Sequence, residues 1–399
     1  MKKRNNQPNI RFKALDANWK TWKIGDVLTE KYRPILIEDE KQYQLVTVKR
    51  RNEGVVSRGY LKGKSILVKN YFEVEEGDFI ISKRQIIHGA SGIIPKYLHK
   101  AVVSNEYLVA TSNENLSSEY LALISKLPDM YKQFFLSSFG VDVEKMVFDV
   151  RDWKKRTITL PDINEQDRIT SFFKDLDELI SIYQRKRNKL IDLRKSMHVK
   201  MFPQIDEYTP KIRFAGFNEV WEKKSLCDLC NIKKGVQINK IKLMKTGAYP
   251  VINGGITPSG YSNNWNTKEN TITISEGGNS CGFVNFIETN FWSGGHCYTL
   301  EKLSENVYAQ FLYQQLKAKQ TKLMELRVGS GLPNIQRDAI SNFSILLPKP
   351  KEQEKIGSYF KSLDSLINKK NVELDKLNKI KKGCYEKMIS VSSNHKCKI

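Results

Sequence analysis

Two stretches of the chain repeat their apolar residues every seven positions. LPDINEQDRITSFFKDLDELISIYQRKRNKLIDLRK begins at Leu160, and LPKPKEQEKIGSYFKSLDSLINKKNVELDKLNKIKK begins at Leu347, an offset of 187. In the first, one seam runs through Ile169, Leu176, Tyr183, Leu190 and Met197, with Phe173 and Ile180 alongside. In the second it runs through Ile356, Leu363, Leu377 and Cys384, with Phe360, Ile367, Leu374 and Met388 alongside. A heptad kept over four or five repeats predicts coiled-coil helices rather than ordinary surface helices. Pro161 and Pro348 end whatever precedes each helix, and Asp162, Glu165, Gln166, Glu352, Gln353 and Glu354 suit a helix N-terminus. Glu165–Met201 is 37 residues, which spans about 55 Å at 1.5 Å per residue.

Between these segments the pattern shortens. YQLVTV, SILV, DFIIS, TITIS and YTL, punctuated by Gly and Asn, predict compact domains with substantial sheet. A second repeat frames them: PNIRF (8–12) precedes Trp19 and PKIRF (210–214) precedes Trp221, at an offset of 202. The chain therefore reads as one plan written twice: an IRF…W entry, a variable globular region and a helix. The second variable region is 15 residues shorter than the first. GIIPKYLHKAVVSNEYLVA (92–110) and GFVNFIETNFWSGGHCYTL (282–300) keep a fainter likeness.

The expected fold class is α+β, with two similar mixed α/β domains separated by two long helices. These helices pair antiparallel as a coiled coil and give the chain a pseudo-two-fold axis. The expected boundaries are a globular domain at 1–162, a helix at 163–208, a second domain at 209–346 and a second helix at 347–399. The pattern leaves two alternatives open, in which the helices stay apart or pair with those of another molecule.

A length of 399 residues with 40% hydrophobic content implies two or more domains with real cores. No run approaches the roughly 18 apolar residues of a membrane span. The basic start MKKRNNQPNI has no apolar region after it, so no secretory signal is read and a cytoplasmic location is expected. Cys227, Cys230, Cys281, Cys297, Cys384 and Cys397 fit reduced thiols better than a disulfide framework. Charge changes the picture more. The 66 Lys+Arg against 44 Asp+Glu leave +22, a surplus that points to a polyanion partner. A lysine-rich proteome would explain an even spread, but QRKRNKLIDLRK concentrates six basic residues from Arg185 to Lys195 around the single Asp192. Two different recognition surfaces on a stiff basic spacer would act as a ruler on DNA, whose major-groove faces repeat about every 34 Å. Because the variable regions differ, the target would be split and asymmetric.

Catalytic motifs are missing. An amino-methyltransferase needs an Asn-Pro-Pro-aromatic loop, and none of the 12 prolines is adjacent to another. RGYLKGKS (58–65) has Gly59 one residue too close to Gly63 for a phosphate-binding loop. Cys227-x-x-Cys230, with Cys281, His296 and Cys297 later, lacks a second CxxC or HxxxH. The offset of 202 places Gly25 and Leu28 at the equivalent positions, so small buried hydrophobes are expected rather than zinc ligands. Pro128-Asp129 and Pro161-Asp162 read as turns and helix starts.

What remains is binding chemistry, with Lys and Arg for phosphates and polar side chains for base edges. In the first domain the candidates are Lys49, Arg50, Arg51, Asn52, Arg58, Lys83, Arg84, Gln85, His88 and Ser91. In the second they are Asn253, Tyr261, Asn263, Asn264, Glu276, Asn279, Ser280, His296, Ser330, Asn334, Gln336 and Arg337. Their Gly-rich loops permit close backbone approach to a duplex.

Over essentially its whole length the chain resembles the specificity subunit of a type I restriction–modification system. The resemblance is carried by the duplicated LP…EQ…I…F…LD…I helix and the IRF…W entry. It implies two target recognition domains, two spacer helices, and no catalysis by this chain. It also implies double-stranded DNA, two methyltransferase subunits and two restriction subunits as partners, and no membrane. No cofactor is expected on this chain; S-adenosylmethionine, ATP and Mg belong on the partner subunits. Competing function classes are a coiled-coil scaffold for RNA or protein partners, and a metal-dependent nuclease.

Overall fold

The computed structural model describes residues 7–389 apart from 14, 16, 68, 69, 205, 240, 242, 330 and 332. The chain divides into two units, Met1–Ile182 with Leu374–Ile399, and Tyr183–Glu373.

The first unit is built on a four-stranded sheet in the order Leu28–Glu30, Tyr107–Ser112, Phe79–Ser82, Ser91–Ile93. Successive side chains of a strand point to opposite faces, and here both faces are covered. Phe79 and Ile81 enter a core with Tyr120, Leu121 and Phe134 from the helices Ser118–Ile124 and Pro128–Leu136. Ile80 enters a second core with Val46, Val55 and Val103 from a five-stranded sheet. The longest pair of that sheet is the hairpin Gln42–Val48 and Val55–Lys62.

The second unit repeats the four-stranded sheet with the same order, Asn231–Lys234, Cys297–Glu301, Thr271–Ser275, Val284–Ile287. All neighbours are antiparallel in both sheets. The faint likeness of 92–110 to 282–300 thus lies along corresponding strands. The accessory sheets differ: among the described residues that of the second unit has three strands, Gly260–Ser262, Tyr249–Ile252 and Trp292–Ser293. In each unit the entry strand lies antiparallel to the strand leading into a long helix, Lys20–Lys23 on Thr157–Leu160 and Glu222–Ser225 on Ser344–Leu347.

The long helices are Ile163–Lys200 and Pro350–Met388. The first is capped by Asp162, whose Oδ1 accepts the Glu165 N–H at 3.0 Å. In the first unit Phe173 stacks on Tyr385 at 4.2 Å and Asp177 pairs with Lys381. Partner numbers fall as positions rise, so the segments run antiparallel. In the second unit a shift of 187 reproduces both contacts, with Phe360 5.0 Å from His198 and Arg194 Nε 2.5 Å from Asp364 Oδ1. The pairing is therefore made within this chain. Seam residues Ile169, Phe173, Leu176, Ile180, Ile356, Phe360, Leu363, Leu374 and Met388 are buried. Tyr183, Leu190, Met197, Ile367, Leu377 and Cys384 are half-buried. Burial is deepest where helix ends enter a globular core, as Ile169, Phe173 and Met388 do in the first unit, and Ile356 and Phe360 in the second. Among the described residues no helix is long and apolar enough to cross a membrane.

Candidate nucleic-acid interface

The most strongly repeated motif residues build the frame on which the variable loops stand. Arg11 donates Nε and Nη2 to Glu165 at 2.8 and 2.5 Å, and Trp19 Nε1 adds a bond of 3.2 Å. Arg213 donates to Glu352 at 2.9 and 2.7 Å. Gln166 Oε1 accepts from Ser117 N at 2.8 Å while its Nε2 donates to Asn115 O and Pro161 O at 2.8 and 3.0 Å. Gln353 repeats this with Tyr308 N, Asn306 O and Pro348 O at 3.0, 2.9 and 2.7 Å. Glu165 and Glu352 are thus buried ion-pair partners, not exposed complements of the helix dipole, while Asp162 keeps the capping role and Glu354 stays exposed. Sequence reasoning, which assigned Glu165, Gln166, Glu352 and Gln353 to the helix N-terminus, missed this buried role.

In the first unit the turn at 49–54 docks against the short turn Ile86–His88. Arg51 N and Asn52 N donate to His88 O and Gly89 O at 2.6 and 2.9 Å. This brings Arg50, Arg51, Asn52 and His88 around a cavity of about 500 Å³ that Lys126 and Glu144 also line. Gln85 adjoins the same turn. Lys49 and Arg58 are exposed on the hairpin strands or their ends. Lys83 Nζ is held by Asn105 O at 2.8 Å, and Arg84 by Glu106 at 2.5 Å. Ser91 is buried at 6% exposure on its strand.

In the second unit a buried carboxylate organises the loops. Glu276 Oε1 accepts from Lys234 Nζ at 2.5 Å and Tyr298 OH at 3.1 Å, and Oε2 lies 3.6 Å from His296 Nδ1. Burial and the adjacent carboxylate push the Tyr298 hydroxyl up to about 12, so it stays a donor. Asn253 Oδ1 accepts the His296 N–H at 3.1 Å, and Ile335 N donates to Glu276 O at 2.8 Å. Asn334 bridges to Gly277. Gln336 and Arg337 follow, exposed, and Asn279 is exposed with Ser280 half-buried beside it. Close packing fixes this cluster: a Cβ on Gly254 (φ 84°) would lie 2.4 Å from His296 O. Tyr261 is half-buried and Asn263 and Asn264 are exposed, all at the end of the three-stranded sheet. Ser330 lies outside the described residues.

Lys126, Glu144 and Lys234 join these clusters from distant segments, and only the fold brings them there; Tyr298 follows His296 by two residues. The Cys227-x-x-Cys230 pair divides: Cys230 is buried as expected, but Cys227 is exposed and does not pack in the core. Gly63–Ser65 is a short turn after a strand. Burial pushes the Cys230 thiol up to about 12 and the Cys297 thiol to about 11, which keeps both neutral. Among the described residues no group of three or more His, Cys, Asp or Glu could hold a metal ion.

Known proteins share this organisation. The profile of the family described as Type I restriction modification DNA specificity domain matches residues 16–192 and again 218–378. A protein of Mycoplasma pneumoniae described as a type I specificity subunit is 36% identical over 142 residues, 35% of this chain and 37% of that protein. The chain thus matches little more than a third of that relative's length. The MjaVIII type I restriction enzyme specificity subunit of Methanocaldococcus jannaschii is 23% identical, across 92% of this chain and 90% of that protein. Among solved structures, a type I restriction-modification S subunit from M. genitalium aligns with a TM-score of 0.67 at 17% identity, covering 97% of this chain and 100% of that one. An HsdS subunit from Thermoanaerobacter tengcongensis aligns with a TM-score of 0.51 at 15% identity, covering 93% and 96%. At these identities the structural likeness speaks for the fold.

Proposed function

Because the chain belongs to the family of type I restriction modification DNA specificity proteins, we propose that it is the non-catalytic subunit that chooses the DNA sequence in such a complex. One observation carries this reading. The frame is built twice, Arg–Glu pair for Arg–Glu pair and Gln for Gln, while the loop clusters on it differ in chemistry. The first is a basic turn around a cavity; the second is an Asn- and His-bearing loop set over a buried carboxylate. Two unlike readers would give a bipartite, asymmetric target, with the paired helices setting the gap between its halves.

The helices also supply docking faces for the partners. Leu179 and Leu193 are exposed on the first helix, and Leu366 and Ile380 are exposed at the same shift of 187 on the second. Two like apolar pairs suit two copies of a methyltransferase subunit, as repeated surfaces suit repeated partners, and restriction subunits join through that complex. S-adenosylmethionine, ATP and Mg act on those subunits, and this chain takes none of them.

Two measurements test the reading. The purified chain given DNA and S-adenosylmethionine should transfer no methyl groups, and transfer by the chain alone would overturn the assignment. In the complex with its methyltransferase, replacing residues 20–160 by another variable region should change one half of the methylated sequence and leave the other. Cleavage by the chain alone with divalent ions would identify a nuclease instead.

A further inference from the structure

The basic cluster of the first unit contains an acid that DNA recognition leaves without a role. Glu144, in the short turn Val143–Lys145, places one carboxylate oxygen 3.4 Å from Arg50 Nη2 and the other 3.4 Å from His88 Nε2. All three side chains line the cavity of about 500 Å³. Its surroundings hold further unused polar groups: Asn52 Oδ1 and Gln85 Oε1 are buried without a hydrogen-bond partner. The large majority of buried side-chain polar atoms in native proteins have one, so two orphaned atoms around one turn mark a place shaped for something else.

The basic side of the cavity is held by its backbone. Arg51 and Asn52 sit at φ 59° and 57°, and their N–H groups are tied to His88 O and Gly89 O. Non-glycine residues in this left-handed region are strained, and such strain gathers at binding sites. Gly89 leaves no space for a side chain, because a Cβ there would lie 3.0 Å from Asn52 Nδ2. Glu144 is different. It is 62% exposed and Arg50 is 53% exposed, and ion pairs that open to water are weak. Donors carried on a fixed turn therefore hold a carboxylate that leaves easily.

A carboxylate offers two acceptors side by side, as guanine does with O6 and N7 at its major-groove edge. We propose that Glu144 is an internal stand-in for a guanine edge. In the free protein it occupies Arg50 and His88; at the correct site guanine displaces it; at other sites its charge repels the phosphates that crowd the cavity. The inference rests on the DNA-specificity reading and adds to it a base class, a reading residue and a discriminating residue.

The test uses the complex with its methyltransferase, a target duplex identified from the methylated sequence, and an unrelated duplex. Glu144→Gln should tighten binding to unrelated DNA about fivefold to tenfold, as expected when one like charge near phosphates is removed, and leave the target within about twofold. Arg50→Lys, which gives up the planar fork of donors, should weaken target binding by about 10-fold, within the range for one base-edge contact, with little effect on unrelated DNA. Placing 7-deazaguanine at each target guanine in turn should reproduce the Arg50→Lys loss at one position, and should cost nothing further there in the Arg50→Lys complex. Two results overturn the inference: Glu144→Gln that leaves the target-to-unrelated ratio unchanged, or Arg50→Lys that weakens both duplexes equally. An unmodified complex with no sequence preference would instead overturn the specificity reading on which this rests.

Discussion

Arg213 and Glu352 stand 139 residues apart in the chain and meet through two hydrogen bonds, Nε to Oε1 at 2.9 Å and Nη2 to Oε2 at 2.7 Å. The Glu352 side chain is 2% exposed and the Arg213 side chain 14%. One fastens the entry segment of the second unit and the other begins its long helix, so the pair locks the frame from which the loops project.

Removing one partner strands the other. Arg213→Ala should destabilise the second unit by about 3–5 kcal/mol, because Glu352 would become a buried, uncompensated charge. Arg213→Met with Glu352→Leu should recover most of that loss. Denaturant unfolding of the two variants beside the parent chain checks it; a single substitution costing under about 1 kcal/mol would show that the pair is not structural.

His198 gives the second unit a pH dependence. Burial, and then the charge of Arg194, lower its imidazole to about 4, against the opposing hydrogen bond to Gln314 and the charge of Asp364. The folded value lies below the unfolded one, near 6.5. The contribution is therefore complete above about pH 6.5 and is lost as pH falls toward 4. The free energy of unfolding should drop across this window by an amount on the order of 3 kcal/mol. His198→Tyr, which copies Tyr385 at the position shifted by 187, should flatten the profile between pH 4 and 7.

Gln315 is fully buried, and both polar atoms of its amide lack a partner. Ser117 N and Tyr308 N make the same bond to Gln166 and Gln353, and that alignment sets Ile124 opposite Gln315. Ile124 is buried too. Gln315→Ile should stabilise the second unit by about 1–3 kcal/mol, the cost of an unsatisfied buried group. A loss of stability would mean that the amide has a partner in solution.

The proposed spacing role can be tested through helix length. Lys370 lies 4.7 Å over the Tyr183 ring and Asp364 meets Arg194, so a register-preserving insertion must be matched on both strands of the pair. Four residues added after Arg187 and four after Asn371 lengthen the helices by about 6 Å. The gap in the methylated sequence should grow by about two base pairs. An unchanged gap would count against the ruler.

The two loop clusters show how far sequence reading reaches. Arg50, Arg51, Asn52 and His88 were legible because basic and polar residues in Gly-punctuated loops have few other uses, and the fold does gather them around one cavity. Glu144 and Lys126 were not, because an acid or a lone lysine in a loop carries no local signal of its neighbours. Ser91 and Glu276 share the polarity of their loops, yet both are buried; alternation along a strand does not reveal which polar residue turns inward when both faces are covered.

By itself the sequence determined the duplicated plan, the two long helices, the strand-rich domains between them and the excess of positive charge. Each of these follows from periodicity, repetition or composition, which are properties of neighbours along the chain. Tertiary structure decided what the repeated residues are for. IRF…W and EQ recur because Arg11 must reach Glu165 and Arg213 must reach Glu352, across separations at which no local pattern can say who meets whom. It also decided that the helices pair within the chain, since heptads specify an apolar seam but not its partner. That partner is fixed by Asp177 with Lys381 and by Asp364 with Arg194, ion pairs whose register exists only once both helices are folded.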